Sequence, residues 1–459
     1  MKMYETTQPV ERYLNIPLEC ACGRTHFAPI KAVCVGPGAL KKLPEYMKQF
    51  GHHSPYILCD PITVSIAGEE CARLLKDAGY CTSLHVLKNN KYDEATLGEI
   101  VINVPEECDV MIGVGTGQIS DILRYSSFKL GINCFTIATA APMDGFSASA
   151  GIMNVDNLKA TMPAHASEVI IGDTDILTSA PYRMTIAGFG DLIGKLNSLN
   201  DWKLGHIVNG EHYCESIASA VSDYVHSILK QTIRIKNHAP EAIGEVMNAL
   251  LFSGATVSLY GTSRAISGAE HHMSHYWETL GEQRGKPFAM HGEQVAVATV
   301  LALSAAKELA ARKPDFSLAR EKARKYDPVL WEADIRRAYG NAADAILELE
   351  KKSGKNQTEG RLRRITAIEK KWPIIRNLLE DAYSPEELRD QLKDVGCPCD
   401  PKDIGISAEI LKDTFLFCKE TRSIFTLYQM IWDIGLMDDI SDVIIDRLKN
   451  QGRIESVRK

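Results

Sequence analysis

Between residues 31 and 138 the chain alternates short apolar, β-branched runs with helix-length segments, and this alternation constrains the fold more than any other feature. Residues 31–35, 56–59, 83–87, 110–114 and 133–138 read as strands. Residues 39–50, 66–78 and 119–130 read as helices. Parallel strands need long crossover connections, and helices supply them, so the pattern predicts a parallel sheet covered on both faces. From about Ala180 onward strand-like runs become sparse. Residues 214–237, 241–252, 294–311 and 408–435 carry helical periodicity instead. The expected architecture is a Rossmann-like α/β domain over 1–180 followed by an all-helical domain over 181–459, with the boundary near Ser179-Ala180-Pro181.

Charge narrows the function classes. The chain has 459 residues, with 52 Lys+Arg against 59 Asp+Glu and a net charge of −7. A dedicated nucleic-acid binder would show a basic domain. No apolar run reaches the roughly 18–20 residues of a membrane span. The longest candidate, 295–306, reads as a buried helix. Residues 1–12 lack the apolar core of a secretory signal. The 12 Cys show no disulfide-like framework. Together these features predict a soluble protein of a reducing cytoplasm.

Three features take local readings. Cys20-Ala-Cys22-Gly-Arg-Thr-His26 offers three metal-ligand side chains but no fourth nearby, so it reads as a tight hairpin rather than a metal knuckle. The basic stretch 361–371 reads as a solvated helix face. Cys397-Pro-Cys399 reads as an interhelical loop.

The first chemical motif is Val110-Met-Ile-Gly113-Val-Gly115-Thr-Gly117-Gln118-Ile119-Ser120-Asp121. A strand runs through glycines into a helix. Glycines admit a phosphate close to the backbone, and the helix start offers unbonded N–H groups and a favourable dipole. The spacing is not the Gly-x-Gly-x-x-Gly of an ordinary Rossmann dehydrogenase, and it lies beyond the first βα turn. Asp60 follows the second strand. It reads equally as an acceptor for ribose hydroxyls or as a turn residue before Pro61.

The second motif is a set of metal-type ligands. His271 and His275 lie one helical turn apart and share a face. His291 opens the helix at Met290-His291-Gly-Glu. Asp191, in Gly188-Phe-Gly190-Asp191, adds a carboxylate. Imidazoles and carboxylates of this kind suit Zn²⁺ and neighbouring divalent ions. His206, His212, His226, His238 and His272 lie in the same half, so clustering alone carries little.

In order along the chain stand Gly-x-Gly-Thr-Gly-x-x-x-Asp121, Thr139-Ala-Ala-Pro142-Met-Asp144-Gly145, Gly-Phe-Gly-Asp191, Ser267-Gly-Ala-Glu270-His271-x-x-Ser274-His275 and His291-Gly-Glu. This ordered set, over residues 28–440, resembles sn-glycerol-1-phosphate dehydrogenase of the bacterial type. That group belongs to the glycerol dehydrogenase and dehydroquinate synthase-like superfamily, beside the iron-type alcohol dehydrogenases.

The resemblance implies roles residue by residue. Asp191, His271 and His291 would hold one divalent metal, Zn²⁺ or Ni²⁺. Gly117, Gln118, Ile119, Ser120 and Asp121 would wrap the pyrophosphate of NAD(P)H. Thr139, Ala140, Ala141 and Pro142 would line the cofactor, and Asp60 would meet its ribose. Asp144, Asp191 and His275 would contact substrate, with Asp191 and His275 catalytic. Lys195 is a candidate for the substrate phosphate, against a solvated lysine. The family often has Ser four residues after the substrate Asp; here Ala148 stands there, between Ser147 and Ser149. The implied reaction is reversible reduction of dihydroxyacetone phosphate to sn-glycerol 1-phosphate, in phospholipid metabolism, by a homodimer or larger homo-oligomer. A glycerol or polyol dehydrogenase and a dehydroquinate-synthase-like lyase are the alternatives on the same scaffold.

Overall fold

The computed structural model describes residues 10–88, 92–155 and 158–455; residues 1–9, part of the stretch read as lacking a signal segment, lie outside them. Ten strands are present among the described residues: β1 Leu18–Glu19, β2 Thr25–His26, β3 Ala32–Gly36, β4 Pro55–Cys59, β5 Ser83–Val86, β6 Val110–Gly115, β7 Asn133–Ala138, β8 Ala150–Val155, β9 Leu158–Pro163 and β10 Val169–Asp173. The helices that bear on function are α1 Leu43–Phe50, α2 Glu69–Asp77, α3 Glu94–Asn103, α4 Gly117–Leu130, α5 Thr174–Ser179, α6 Tyr182–Ile193, α7 Lys195–Asn209, α8 Glu215–Leu229, α9 Thr232–Lys236, α10 Pro240–Tyr260, α11 Ala269–Gln283 and α12 His291–Ala310.

Packing divides the chain into two units. One comprises Met1–Leu192 and Ser216–Ser263; the other comprises Ile193–Glu215 and Arg264–Lys459. Strand content ends near residue 180, as the sequence suggests. Packing divides elsewhere, because α10, well past that point, packs against α5 and β3 of the α/β unit.

In the α/β unit a six-stranded parallel sheet has the order β3-β10-β7-β6-β4-β5. Alternate residues of each strand face opposite sides. Ile57, Val110, Ile112, Val114 and Phe135 join Leu43, Met47 and Leu75 on one side. Tyr56, Leu58 and Met111 join Ile100, Ile119, Ile122 and Leu123 on the other. Both faces are thus covered, which explains why these strands are apolar throughout. β10, unforeseen in the sequence, sits between β3 and β7. The chain leaves β4 toward β5 at one edge, then returns to place β6 on the other side of β4. This reversal opens a crevice at the carboxyl ends of β4 and β6, where ligands bind in open α/β sheets.

In the helical unit α12 is the central element. Residues 292–303 are all buried, and the helix packs against α7, α11 and the helices Thr358–Glu380, Pro385–Asp394 and Met437–Asn450. The segment 408–435, which reads as one helix, is broken into Ala408–Phe417, Cys418–Thr421 and Leu427–Asp433. The basic stretch from Arg361 is not simply a solvated face. Arg361 is buried, its guanidinium lies 3.9 Å from the centre of the Trp432 ring, and neighbouring Arg364 pairs with buried Asp433.

α10 is longer than the expected 241–252. Its length and composition would suffice to cross a membrane, but 78% of its apolar window is buried within the protein, as in a core helix.

Candidate active site

The crevice is lined first by the β6–α4 turn. Thr116 takes an extended conformation before α4, and no side chain caps the helix start. The first-turn N–H groups of Gly117, Gln118 and Ile119 therefore keep the anion-binding character of a helix N-terminus. The glycines divide the labour differently from the sequence reading. A Cβ on Gly113 would meet Leu123 at 2.7 Å, and one on Gly115 would meet Ile119 at 2.6 Å. These two let α4 lie close on β6. Asp121 and Ser120 serve the same turn. The Asp121 carboxylate pairs with the fully buried Arg124, whose guanidinium also bonds the carbonyls of Ala148 and Ala150 and, at 3.1 Å, that of Ser120.

The β7 loop follows. Thr139 donates its N–H to the Gly115 carbonyl at 3.0 Å, which ties the segment Thr139–Ala140–Ala141–Pro142 to the end of β6. Asp60, at the end of β4, is buried. Its Oδ1 accepts from the N–H groups of Ile62 at 2.8 Å and Thr63 at 2.7 Å, and Tyr92 donates to Oδ2 at 3.4 Å. The turn role of Asp60 is therefore real.

Asp144 and Asp191 come together within the α/β unit. The Asp144 N–H donates to Asp191 Oδ2 at 2.9 Å, and Ser253 Oγ donates to Asp144 Oδ2 at 2.9 Å. Two close backbone approaches fix this arrangement. A Cβ on Gly188 would lie 1.9 Å from the Ala141 carbonyl oxygen, and one on Gly254 would lie 2.0 Å from the Asp144 carbonyl oxygen. Ser253 and Gly254 escaped sequence reasoning, since nothing in their spacing links them to Asp144. Ser147 donates to the Leu251 carbonyl at 2.6 Å and is fully buried.

The helical unit brings the imidazoles together. Ring centres lie 5.3 Å apart for His271 and His291, 5.7 Å for His275 and His291, and 6.2 Å for His271 and His275. Carboxylates orient each ring. Glu270 Oε1 lies 2.7 Å from His271 Nδ1; Glu278 reaches His275 Nδ1 at 3.0 Å and His291 Nδ1 at 3.2 Å. A carboxylate at one ring nitrogen is also how metal-binding histidines are commonly oriented. Glu270 is itself held by Asn197 Nδ2 at 2.5 Å and by the Gly268 N–H at 2.8 Å. Burial raises the Glu270 carboxyl, but its bond with His271 and the other donors outweigh this and hold it below the ordinary range. Burial pushes His275 down to about 4, against the opposing pull of Glu278, so this imidazole is neutral at physiological pH. His272 is fully buried, with no hydrogen-bond partner at either ring nitrogen and its pKa well below the ordinary range through burial. Lys195 is also fully buried and is not the solvated lysine of the alternative reading.

Two imidazoles with fixed tautomers and nearby carboxylates fit a borderline divalent ion. His275, Glu278 and His291 also offer ligand atoms within 4.8 Å of one another. Glu278 was legible only in hindsight, as the i+3 neighbour of His275 on one helix face.

Residues 34–181 match the family described as iron-containing alcohol dehydrogenase. A protein of Halalkalibacterium halodurans named glycerol-1-phosphate dehydrogenase [NAD(P)+] is 34% identical over 305 residues, covering 65% of this chain and 76% of that protein. Its namesake from Geobacillus stearothermophilus is 29% identical over 413 residues, covering 88% and 93%. The crystal structure of glycerol dehydrogenase from Schizosaccharomyces pombe has the same fold, with a TM-score of 0.60 at 17% identity over 94% of this chain and 93% of that one.

Proposed function

Because the chain belongs to the glycerol-1-phosphate dehydrogenase family, we propose that it reduces dihydroxyacetone phosphate reversibly to sn-glycerol 1-phosphate with NAD(P)H. The observation that carries the metal-dependent reading is the pair His271 and His291, each with one ring nitrogen engaged by a carboxylate. With Asp191 they would hold one divalent ion, Zn²⁺ or Ni²⁺. Such an ion supplies Lewis-acid polarisation of a ketone oxygen when bound.

The chain's own residues do the rest. The α4 N-terminus would receive the cofactor pyrophosphate, with residues 139–142 lining the cofactor. Asp60 would meet the adenosine ribose and favour NAD over NADP, since a 2′-phosphate there would face like charge. Asp144, its carboxylate held by Ser253, would accept from a substrate hydroxyl. Lys195 would meet the substrate phosphate. His275, its Nδ1 bonded to Glu278, would relay a proton from solvent to the substrate oxygen in the reduction and take it back in the reverse reaction. We place the protein in the cytoplasm as a homodimer serving phospholipid metabolism.

Initial rates of NADH oxidation with dihydroxyacetone phosphate and with dihydroxyacetone test the reading. The phosphorylated substrate should be preferred by kcat/KM, and His291→Ala should lose both metal and turnover. Preference for dihydroxyacetone would favour the polyol dehydrogenase alternative, and full metal content in His291→Ala would refute the ligand set.

A further inference from the structure

The segment Cys20–His26, read from sequence as a hairpin, does form one. β1 and β2 pair antiparallel, with Leu18 opposite His26 and Glu19 opposite Thr25. The Gly23 N–H donates to the Cys20 carbonyl at 3.0 Å and the Cys20 N–H to the Arg24 carbonyl at 3.2 Å. Gly23 has φ +84°, a left-handed conformation that glycine adopts without strain. This turn sets two partly exposed cysteines side by side. The sulfurs of Cys20 and Cys22 and a ring nitrogen of His26 all lie within 4.8 Å of one another.

The imidazole is fixed in one tautomer. His26 is 1% exposed, and its Nδ1 lies 2.7 Å from the Leu259 carbonyl of α10. A carbonyl can only accept, so Nδ1 carries the proton and Nε2 is left as an acceptor. Cys22 Sγ lies 3.3 Å from that Nε2, the pairing of thiol and base that activates a sulfur nucleophile. The Cys20 sulfur lies 3.7 Å from Ser216 Oγ, a hydroxyl able to donate to a thiolate. Burial raises the Cys20 thiol, but its contacts with the Cys22 backbone and with the Ser216, Cys22 and His26 side chains outweigh this and bring it down to about 6. Cys59, Cys71, Cys108 and Cys134 are buried instead, and burial pushes each of their thiols up. All the residues named here belong to the α/β unit.

We propose that Cys20 and Cys22 form a site of reversible oxidation by hydroperoxides, independent of the dehydrogenase reaction. The Cys20 thiolate attacks the terminal peroxide oxygen. The S–O bond forms, the O–O bond breaks, and the leaving oxygen takes a proton from solvent, which gives a sulfenic acid and water or an alcohol. Cys22 then passes its proton to His26 Nε2 and attacks the Cys20 sulfur. The S–S bond forms, the S–O bond breaks, and the departing hydroxide takes the proton from His26 as water. The sulfurs lose two electrons and the peroxide gains them. A small dithiol restores both thiols by exchange.

Trypsin cuts after Arg12 and Arg24, so one peptide, 13–24, carries both cysteines. The full-length protein treated with hydrogen peroxide, then denatured and alkylated, should yield this peptide lighter by two hydrogens and closed to alkylation. Dithiothreitol should reopen it. The pair should oxidise roughly tenfold faster than the exposed Cys81. Cys22→Ser removes the resolving thiol, so dimedone should trap Cys20 as the sulfenic acid. A wild-type peptide 13–24 that forms no disulfide, or oxidises no faster than Cys81, overturns the proposal without recourse to any variant. A Cys22→Ser protein with no dimedone adduct on Cys20 overturns it as well.

Discussion

Gly188 is the position where one added carbon has the most predictable consequence. Its Cβ would fall 1.9 Å from the Ala141 carbonyl oxygen, 3.0 Å from the Ala141 carbonyl carbon and 3.0 Å from Leu250 Cδ1. Ordinary contact begins near 3.4 Å, so α6 and the residue 139–142 segment must part by about 1.5 Å. The obstructing atom is backbone, tied to β6 through Thr139, and cannot rotate aside. Overpacking of this kind costs roughly 1–3 kcal/mol, and a rigid neighbour puts it at about 3. Alanine returns about 1 kcal/mol of helix propensity. Gly188→Ala should therefore lose about 2 kcal/mol, or roughly 4–8 °C of melting temperature for a unit of this size. Gly98, inside α3, has nothing within 4 Å of its Cβ position, so Gly98→Ala should gain up to about 1 kcal/mol. Calorimetry on the two variants compares the same chemical change with opposite expected signs. The movement should also raise KM for the cofactor in Gly188→Ala, because Ala141 belongs to the segment proposed to line the cofactor. A Gly188→Ala protein that melts at or above the wild type with unchanged KM refutes the close approach.

Asp60→Asn keeps the turn acceptor and removes the charge, so NAD-over-NADP selectivity in kcat/KM should fall roughly tenfold, about 1.4 kcal/mol; unchanged selectivity would remove Asp60 as the discriminator. His275→Ala should retain metal, with kcat lowered about 10²–10⁴-fold and KM raised; loss of metal would instead favour the ligand set His275, Glu278 and His291. Glu420 is buried, and although burial raises its carboxyl, Lys419 and Lys355 pull it down to about 2. A depressed acid stabilises the fold above its unfolded pKa, and that stability is lost as pH falls from about 4.5 toward 2, up to about 3 kcal/mol. Glu420→Gln should flatten the acid limb of the stability–pH curve, and an unaltered limb would argue against the buried pair.

What the sequence made legible follows from where the information lies. β4, β6 and β7 were evident because apolar β-branched runs end in turn residues. β10, Val169–Asp173, is equally buried, but five apolar-rich residues in isolation resemble a stretch of core helix. The paired strands β8 and β9 lack any continuous apolar run and were missed altogether. At the site, His271, His275, His291 and Asp191 stood out by residue type and helix position. Ser253 and Gly254 act by supporting Asp144, Glu278 by bonding His275 and His291, and Asn197 by holding Glu270 beside His271, and Ser253, Gly254 and Asn197 do so from distant points in the chain.

The interrupted course of the α/β unit also bears on how the protein is made. That unit needs α8 and α10, which follow Leu192 by an excursion into the other unit. A nascent chain ending at Leu192 has all six sheet strands, yet Val35, Gly172 and Thr174 still await Met247 and Gly244 of α10. At about 5–20 residues per second, the interval from Leu192 to Ser263 lasts roughly 4–14 s. Throughout it, an apolar patch of a finished sheet stands open beside the ribosome. Any cut that frees residues 1–192 as a fragment makes that exposure permanent, so a fragment boundary drawn at the end of the strands would yield an aggregating product rather than an independent cofactor-binding domain.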